Sequence, residues 1–225
     1  MKPENLLEML HTAGKLKDTT RHCYTPGGRH ESVAEHSWRL ALMAFWLRDE
    51  FPELDMNRVV QMCLIHDLGE AFTGDIPVFN KTEADEIWEE QLLRSWVDSM
   101  PAPLREQMQS LYREMAERTT EEAKLYKALD GLEALISHNE SDLATWEPNE
   151  YDLQMTYAED RMRFSPYMVA LREQIKQDSI QKIKILILTF FSVLFSIVFC
   201  KLKQLLFFFF IALDGCIICF LIDCF

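Results

Sequence analysis

The chain has 225 residues, which fits one domain with an appendage and a sizeable core, so a small scaffold held together by disulfides is excluded. Its 48% hydrophobic and 26% charged residues, with only 7 Gly and 8 Pro, argue against a largely disordered or fibrous protein. Residues 1–182 carry 20 Lys and Arg against 34 Asp and Glu, a formal charge of −14. A body this acidic lacks the basic face that nucleic-acid binding needs, so we expect no nucleic-acid partner.

The composition changes towards the C-terminus. The last 43 residues, 183–225, hold 10 of the 15 Phe and four of the six Cys, and they contain no Pro. We therefore predict a domain at 1–178 and a hydrophobic tail at 179–225. The N-terminus has neither the apolar segment nor the cleavage site of a signal peptide, so we expect the body in the cytoplasm, with Cys23 and Cys63 as free thiols.

Apolar residues in the body recur with a helical period, and no run shows sustained alternation, so we predict an all-α domain. Taken in chain order, the helices are expected at 5–13, 33–51, 56–72, 83–100, 104–116, 121–138 and 165–174. Ser32 with Glu35, and Thr119 with Glu122, have the spacing of a capping box at a helix start, and Pro166 suits a first helical position. The stretches 21–30 and 72–81 contain Gly and Pro and are predicted to be loops.

The predicted tail contains a run of 16 residues without a charge, 185–200, which Lys201 and Lys203 separate from a second apolar run at 205–213. About 20 apolar residues are needed for a helix to cross a bilayer, so the first run spans it only if the flanking lysines reach the headgroups. Two interpretations remain open. The tail is either a membrane anchor, and then the only membrane contact of the chain, or a non-native extension translated out of frame or past a lost stop codon.

Four polar residues stand out in the body, namely His36, His66, Asp67 and Asp130. Two imidazoles and two carboxylates suit a divalent ion in six-coordinate geometry with positions left for water or substrate. Taken singly, each residue is more typical of a core or surface position than of a metal ligand. Apolar residues surround the His66-Asp67 pair, however, so both polar groups would need partners in a buried stretch.

These residues and their neighbours resemble the HD-domain metal-dependent phosphohydrolases, in particular the YfbR-like 5'-deoxynucleotidase branch. The motifs that carry the resemblance are Ser32-Val-Ala-Glu-His36-Ser, His66-Asp-Leu-Gly-Glu70-Ala-Phe-Thr-Gly-Asp75-Ile-Pro and Leu129-Asp130, and the likeness covers residues 5 to 175. The resemblance implies an all-helical HD bundle in which His36, His66, Asp67 and Asp130 hold one divalent metal ion. That ion would be Co²⁺, Mn²⁺ or a similar transition ion, with Mg²⁺ as the alternative.

The resemblance also implies an activity and further roles. The expected reaction is hydrolysis of (deoxy)nucleoside 5'-monophosphates to nucleoside and phosphate, with Glu70 and Asp75 as catalytic acids and bases. Arg21 matches the arginine that holds the substrate phosphate, and a planar guanidinium suits that contact. A member of that family carries Trp directly after this arginine, whereas this chain has His22. We also expect His22 to contact the substrate. His30 and Glu31 are expected to form a solvated loop pair, and the enzyme is expected to be a homodimer.

Other functions remain open. Hydrolases of alarmones or of other nucleotides share the four ligands, although alarmone hydrolases carry a Glu-Asp pair where Ala71 follows Glu70 here. A protein that binds nucleotide or metal without turnover, tethered to a membrane by the tail as a sensor, is the alternative from another class. A two-metal site is disfavoured, because no His lies between His66 and His138.

Overall fold

The computed structural model describes the backbone of residues 1–222 and the side chains of 1–199 and 201–203. It divides the chain into two units, Met1–Ser179 and Ile180–Phe225. The sequence placed the boundary one residue earlier, between 178 and 179. Residues 223–225 of the predicted tail lie outside the described residues.

The first unit is built from helices, which confirms the predicted fold class. The helices are α1 (Pro3–Gly14), α2 (Val33–Trp46), α3 (Met56–Ile65), α4 (Glu70–Thr73), α5 (Glu83–Asp98), α6 (Leu104–Glu117), α7 (Glu121–Glu140), α8 (Glu150–Thr156) and the start of α9 (Pro166–Ile222), with short 3₁₀ turns at Lys15–Lys17, Leu143–Thr145 and Glu159–Met162. The single helix predicted at 56–72 is wrong, because α3 ends at Ile65 and a turn precedes α4. The prediction also missed α8.

The stretch predicted as a loop at 21–30 is instead mostly a β-hairpin. Strand β1 (Thr20–Tyr24) pairs with β2 (His30–Ser32) in an antiparallel sheet. Gly28 adopts a φ of 82° in the connecting turn, a conformation that glycine reaches without strain. Strands of five and three residues are too short to show the alternation that identifies a strand in a sequence.

Helix starts determine where several site residues lie. Ser32 caps α2, because its hydroxyl accepts from Glu35 N–H and the Glu35 carboxylate accepts from Ser32 N–H, as the capping box predicts. The cap predicted at Thr119 lies one residue later, since the Thr120 hydroxyl accepts from Ala123 N–H. The cap of α2 places His36 in its first turn.

The core lies where α2, α3 and α7 pack together. Leu40, Val59, Met62 and Leu129 are fully buried there, with no exposed surface. Complete burial of an aliphatic side chain contributes about 1.5–3 kcal/mol, so this contact fixes the three helices relative to one another. Helices α2 and α7 carry His36 and Asp130, and the His66-Asp67 pair directly follows α3.

The start of α9 belongs to the first unit. Ser179 is fully buried, and its hydroxyl donates to Asn139 Oδ1 at 2.7 Å or to Gln154 Oε1 at 3.2 Å. In the second unit, the described apolar side chains such as Phe190 and Phe195 are 63% and 71% exposed. One described helical stretch, Pro166–Lys203, is long and apolar enough by length and composition to cross a membrane, because it contains an 18-residue window with a mean hydropathy of 2.5.

Candidate active site

The four predicted metal ligands meet at one point. His36 lies in the first turn of α2, His66 and Asp67 directly follow the last residue of α3, and Asp130 lies in the middle of α7. His36 Nε2 is 3.2 Å from His66 Nε2 and 3.2 Å from Asp130 Oδ1. Asp67 Oδ2 lies 2.9 Å from His66 Nε2 and 3.7 Å from His36 Nε2. The ligand atoms of His36, His66 and Asp67 are close enough to share one ion, and Asp130 Oδ1 lies within 3.5 Å of both imidazoles.

The outer nitrogen of each imidazole is already engaged. His36 Nδ1 contacts the carboxylate of Glu133, and His66 Nδ1 donates to the carbonyl oxygen of Cys63 at 2.9 Å. Partners of this kind orient histidines that bind metals and leave Nε2 for the ion. Two Nε2 atoms and two carboxylate oxygens are the donor set of a divalent transition ion, so the residues present fit the metal that the resemblance implies.

The electrostatics of the donors also favour a cation. Burial disfavours the charged imidazole of His66, but the Asp67 and Asp130 carboxylates outweigh it and raise the pKa of His66 to about 10. Burial likewise opposes ionisation of Asp130, yet Lys127 at 2.7 Å and the two imidazoles hold the pKa of Asp130 well below its usual range. The negative field that holds a proton on His66 would also hold a metal ion, and binding a metal would release that proton.

A buried charged network behind His36 was missed by the sequence. Glu133 is fully buried on α7, where Arg39 Nε donates to its Oε1 at 2.6 Å and Arg21 Nη1 donates to its Oε2 at 3.1 Å. Arg21 Nη1 also donates to Glu31 at 3.0 Å. The signal was present, because Glu133 follows Asp130 by three residues on the same face of the helix.

Glu31 differs from its prediction. The sequence placed it in a solvated loop pair with His30, but Glu31 is only 6% exposed and belongs to the same network as Arg21. Cys23 donates to its carboxylate at 3.1 Å, and burial raises the pKa of the Cys23 thiol to about 12. The hairpin causes the difference, because it turns Glu31 inwards beside β1.

The two predicted catalytic acids, Glu70 and Asp75, border the same cavity as the metal ligands. Glu70 is buried, and within the described residues its Oε2 has no hydrogen-bond partner. Burial, followed by the charges of Asp67 and Asp75, raises the pKa of Glu70 to about 10. Burial also raises the pKa of Asp75, against the opposing charges of Arg21 and Lys81.

The cavity itself has a volume of about 270 Å³ and continues beyond the metal ligands. Arg21 and Lys81 line it together with the acids. His22 also lines it, and its ring packs edge-on against Phe79 with 5.5 Å between the ring centroids. Seven of the eight predicted site residues therefore line one cavity. The eighth, His66, lies behind it in contact with His36 and Asp67.

Comparisons with known proteins agree with this geometry. A family model described as the HD domain matches residues 13–172, and the chain belongs to this family. The 5'-deoxynucleotidase HDDC2 of Bos taurus is 30% identical over 179 residues, which cover 77% of this chain and 85% of the relative. This relative therefore matches more than three quarters of the chain.

Solved structures show the same architecture. A protein of Magnetospirillum magnetotacticum described as a predicted metal-dependent phosphohydrolase is 25% identical and superposes with a TM-score of 0.66, covering 80% of this chain and 95% of that protein. The HD phosphohydrolase DatZ of cyanophage S-2L, solved with dA and one catalytic Zn²⁺ ion, has a TM-score of 0.50 at 22% identity, over 77% of this chain and 95% of DatZ, which supports the fold alone. The fold and the donors thus define a metal-dependent HD phosphohydrolase.

Proposed function

We propose that this chain hydrolyses deoxynucleoside 5'-monophosphates to deoxynucleoside and phosphate, with one divalent metal ion held by His36, His66, Asp67 and Asp130. The observation that carries the proposal is the convergence of two oriented imidazoles and two carboxylates at the cavity, in a chain whose relative is a 5'-deoxynucleotidase. Bound by these donors, a divalent ion supplies activation of water and screening of phosphoryl charge. Co²⁺ or Mn²⁺ suits the mixed nitrogen and oxygen donors.

In this proposal Arg21 binds the phosphate. Its two ion pairs both use Nη1, so within the described residues Nε and Nη2 are left for phosphate oxygens. Glu133 and Glu31 hold the guanidinium at the cavity wall, and a planar guanidinium can donate two parallel hydrogen bonds to a phosphate. The same Glu133 contacts His36, so one carboxylate orients both a metal ligand and the phosphate-binding group.

Glu70 and Asp75 move the protons. Hydrolysis needs one group to accept the proton of the attacking water and one to protonate the 5' oxygen of the leaving nucleoside. Both side chains border the metal ligands, and the unpartnered Oε2 of Glu70 is the atom free for such a transfer. Asp75 follows α4 on a loop, opposite Lys81, where it can orient the water.

We further propose that the body, 1–178, works in the cytoplasm and that residues 179–225 attach it to a membrane. The support is the apolar composition of the described stretch that ends at Lys203, with lysines at 182 and 184 before the charge-free run. Translation of the tail out of frame is the competing explanation, and the nucleotide sequence of the gene decides between them. Dimerisation of the body stays a prediction, which light scattering of the purified chain tests.

The experiment is release of inorganic phosphate by the purified full-length chain, in detergent, from a panel of deoxynucleoside and ribonucleoside 5'-monophosphates. We expect turnover with added Co²⁺ or Mn²⁺ and none in excess chelator. Release of pyrophosphate from an alarmone, without turnover of any monophosphate, would contradict the proposal in favour of the alarmone hydrolase. Binding of a nucleotide without turnover would contradict it in favour of the sensor.

A further inference from the structure

Three polar side chains lie together on the wall of the cavity, away from the metal ligands. Glu150 is only 3% exposed, and its Oε1 is 3.3 Å from His22 Nε2 and 3.2 Å from His138 Nε2. Its other oxygen, Oε2, accepts from Glu147 N–H at 2.6 Å, which fixes the carboxylate. The three residues come from β1, the last turn of α7 and the first turn of α8. We refer to His22, His138 and Glu150 as the distal cluster.

The distal cluster offers hydrogen-bonding atoms that the protein does not use. His138 Nδ1 is buried and, among the described residues, has no hydrogen-bond partner. Burial, helped by the charges of Arg21 and His22, lowers the pKa of His138 to about 4, so its imidazole is neutral. With Nε2 facing the Glu150 carboxylate, the proton belongs on Nε2, and Nδ1 is an acceptor. A buried acceptor without a partner is costly, which is why such atoms commonly meet a ligand or water.

Helix α7 carries both Asp130 and His138, and therefore fixes the distance between the metal ligands and the distal cluster. Asp130, Ala134 and His138 recur every four residues, and all three line the same cavity. Eight helical residues span about 12 Å along the axis, so His138 lies well beyond the reach of a bare phosphate bound beside Asp130. Ala134 between them is small and leaves space at the wall. A phosphomonoester with a long organic group fits this spacing.

We propose that the distal cluster binds the nucleoside part of the substrate, with His138 Nδ1 accepting a hydrogen bond from it. The inference rests on the proposed function and adds the residues that bind the nucleoside. The group that donates to His138 Nδ1 is a neutral N–H or O–H, which is either an amino group of the base or a hydroxyl of the sugar. Phe79 offers an aromatic wall next to His22.

The test is product inhibition of the full-length, metal-loaded enzyme. Each of the two products is expected to bind at only one end of the cavity, so each reports on that end. His138→Phe keeps a ring of similar size and removes the acceptor. We expect it to weaken inhibition by the deoxynucleoside about 10–100-fold, the effect of a lost hydrogen bond that leaves a donor unpaired. Inhibition by inorganic phosphate should stay within about twofold. His11→Phe, at an exposed position on α1, is the matched control and should change neither.

A second variant keeps the test decisive if His138→Phe folds poorly. Glu150→Gln retains an oxygen for Glu147 N–H and removes the charge that sets the His138 tautomer, so we expect the same selective loss. A loss equal for all four bases supports a sugar hydroxyl as the donor, and a loss that depends on the base supports an amino group.

Unchanged inhibition by the deoxynucleoside in both variants would overturn the inference. Equal weakening of both products would also overturn it, because that result indicates a structural role. Failure of the proposed function is distinguishable, since the wild-type chain would then release no phosphate from any nucleotide.

Discussion

The two ends of the cavity are built in different ways. At the metal end, Asp67 and Asp130 are held ionised beside two imidazoles, and each imidazole is oriented by a second contact. At the distal cluster a single carboxylate lies between two histidines, and His138 stays neutral. A cluster of charged donors suits a cation and a phosphate, whereas a neutral imidazole that presents an acceptor suits a nucleoside. The comparison supports our proposal that the cavity binds the charged half of a nucleotide at one end and its uncharged half at the other.

The largest effect should come from removing a metal ligand. Asp67→Ala takes away one of four donors, so we expect loss of the bound metal and a fall of turnover to background. Bound metal by mass spectrometry and phosphate release on the same sample provide the measurement. Asp49→Ala, at an exposed position, is the control. Retention of a full equivalent of metal in Asp67→Ala would break the assignment of the metal end.

A smaller effect should follow from removing a proton carrier. Glu70→Gln keeps the size of the side chain and removes its acidity, so we expect metal binding to persist while turnover falls about 10²–10⁴-fold. Metal content and kcat, measured together, separate the two properties. If Glu70→Gln lost its metal as fully as Asp67→Ala, the division between ligands and proton carriers would be wrong.

The network behind His36 should affect metal affinity more than chemistry. In Glu133→Gln the partner of His36 Nδ1 becomes neutral, and we expect metal affinity to fall about 10–100-fold. Competition with a fluorescent chelator measures the affinity, and excess metal should restore much of the turnover. Glu140→Gln is the matched control, because Glu140 pairs with the same Arg39 but is half exposed. Equal losses in the two variants would show that Arg39, and not Glu133, orients the site.

The smallest effect on activity is expected from removing the tail. A chain that ends after Lys184 keeps Ser179 and its buried hydrogen bonds, so we expect its metal affinity and kcat to stay within about twofold of the full chain, with better solubility. A chain cut before Ser179 loses that hydroxyl, and Ser179→Ala alone should cost about 1 kcal/mol of folding free energy. Thermal unfolding of the three chains tests this. Unfolding of the chain that ends after Lys184 would mean that the described core depends on the second unit.

Much of the metal end could be predicted from the sequence, because its donors lie in or beside apolar helical stretches and their order is a family motif. His36, His66 and Asp67 fall within about thirty residues of one another, and Asp130 follows in an equally apolar helix. The helices themselves were predictable from periodicity. The predicted ranges of α5, α6 and α7 agree with the observed ranges to within a few residues.

The rest depends on contacts between distant segments. Glu133 shares a helix face with Asp130, but no local pattern shows that it contacts His36, which is 97 positions away. The distal cluster joins a strand to two helices, so no local pattern indicates it either. The break after Ile65 was missed because its residues continue the helical period even though the chain turns there. The hairpin was missed because its strands are short and carry mostly polar residues.

The most direct measurement is a metal titration of the full-length chain, stripped by chelator, with bound Mn²⁺ or Co²⁺ and phosphate release from a deoxynucleoside 5'-monophosphate recorded on the same samples. Four converging donors predict that activity rises in proportion to bound metal and that both saturate at about one ion per chain. Glu70→Gln should follow the same binding curve with almost no activity. Full activity without bound metal, or no activity at one ion per chain, would contradict the assignment of the cavity as a metal-dependent 5'-deoxynucleotidase site.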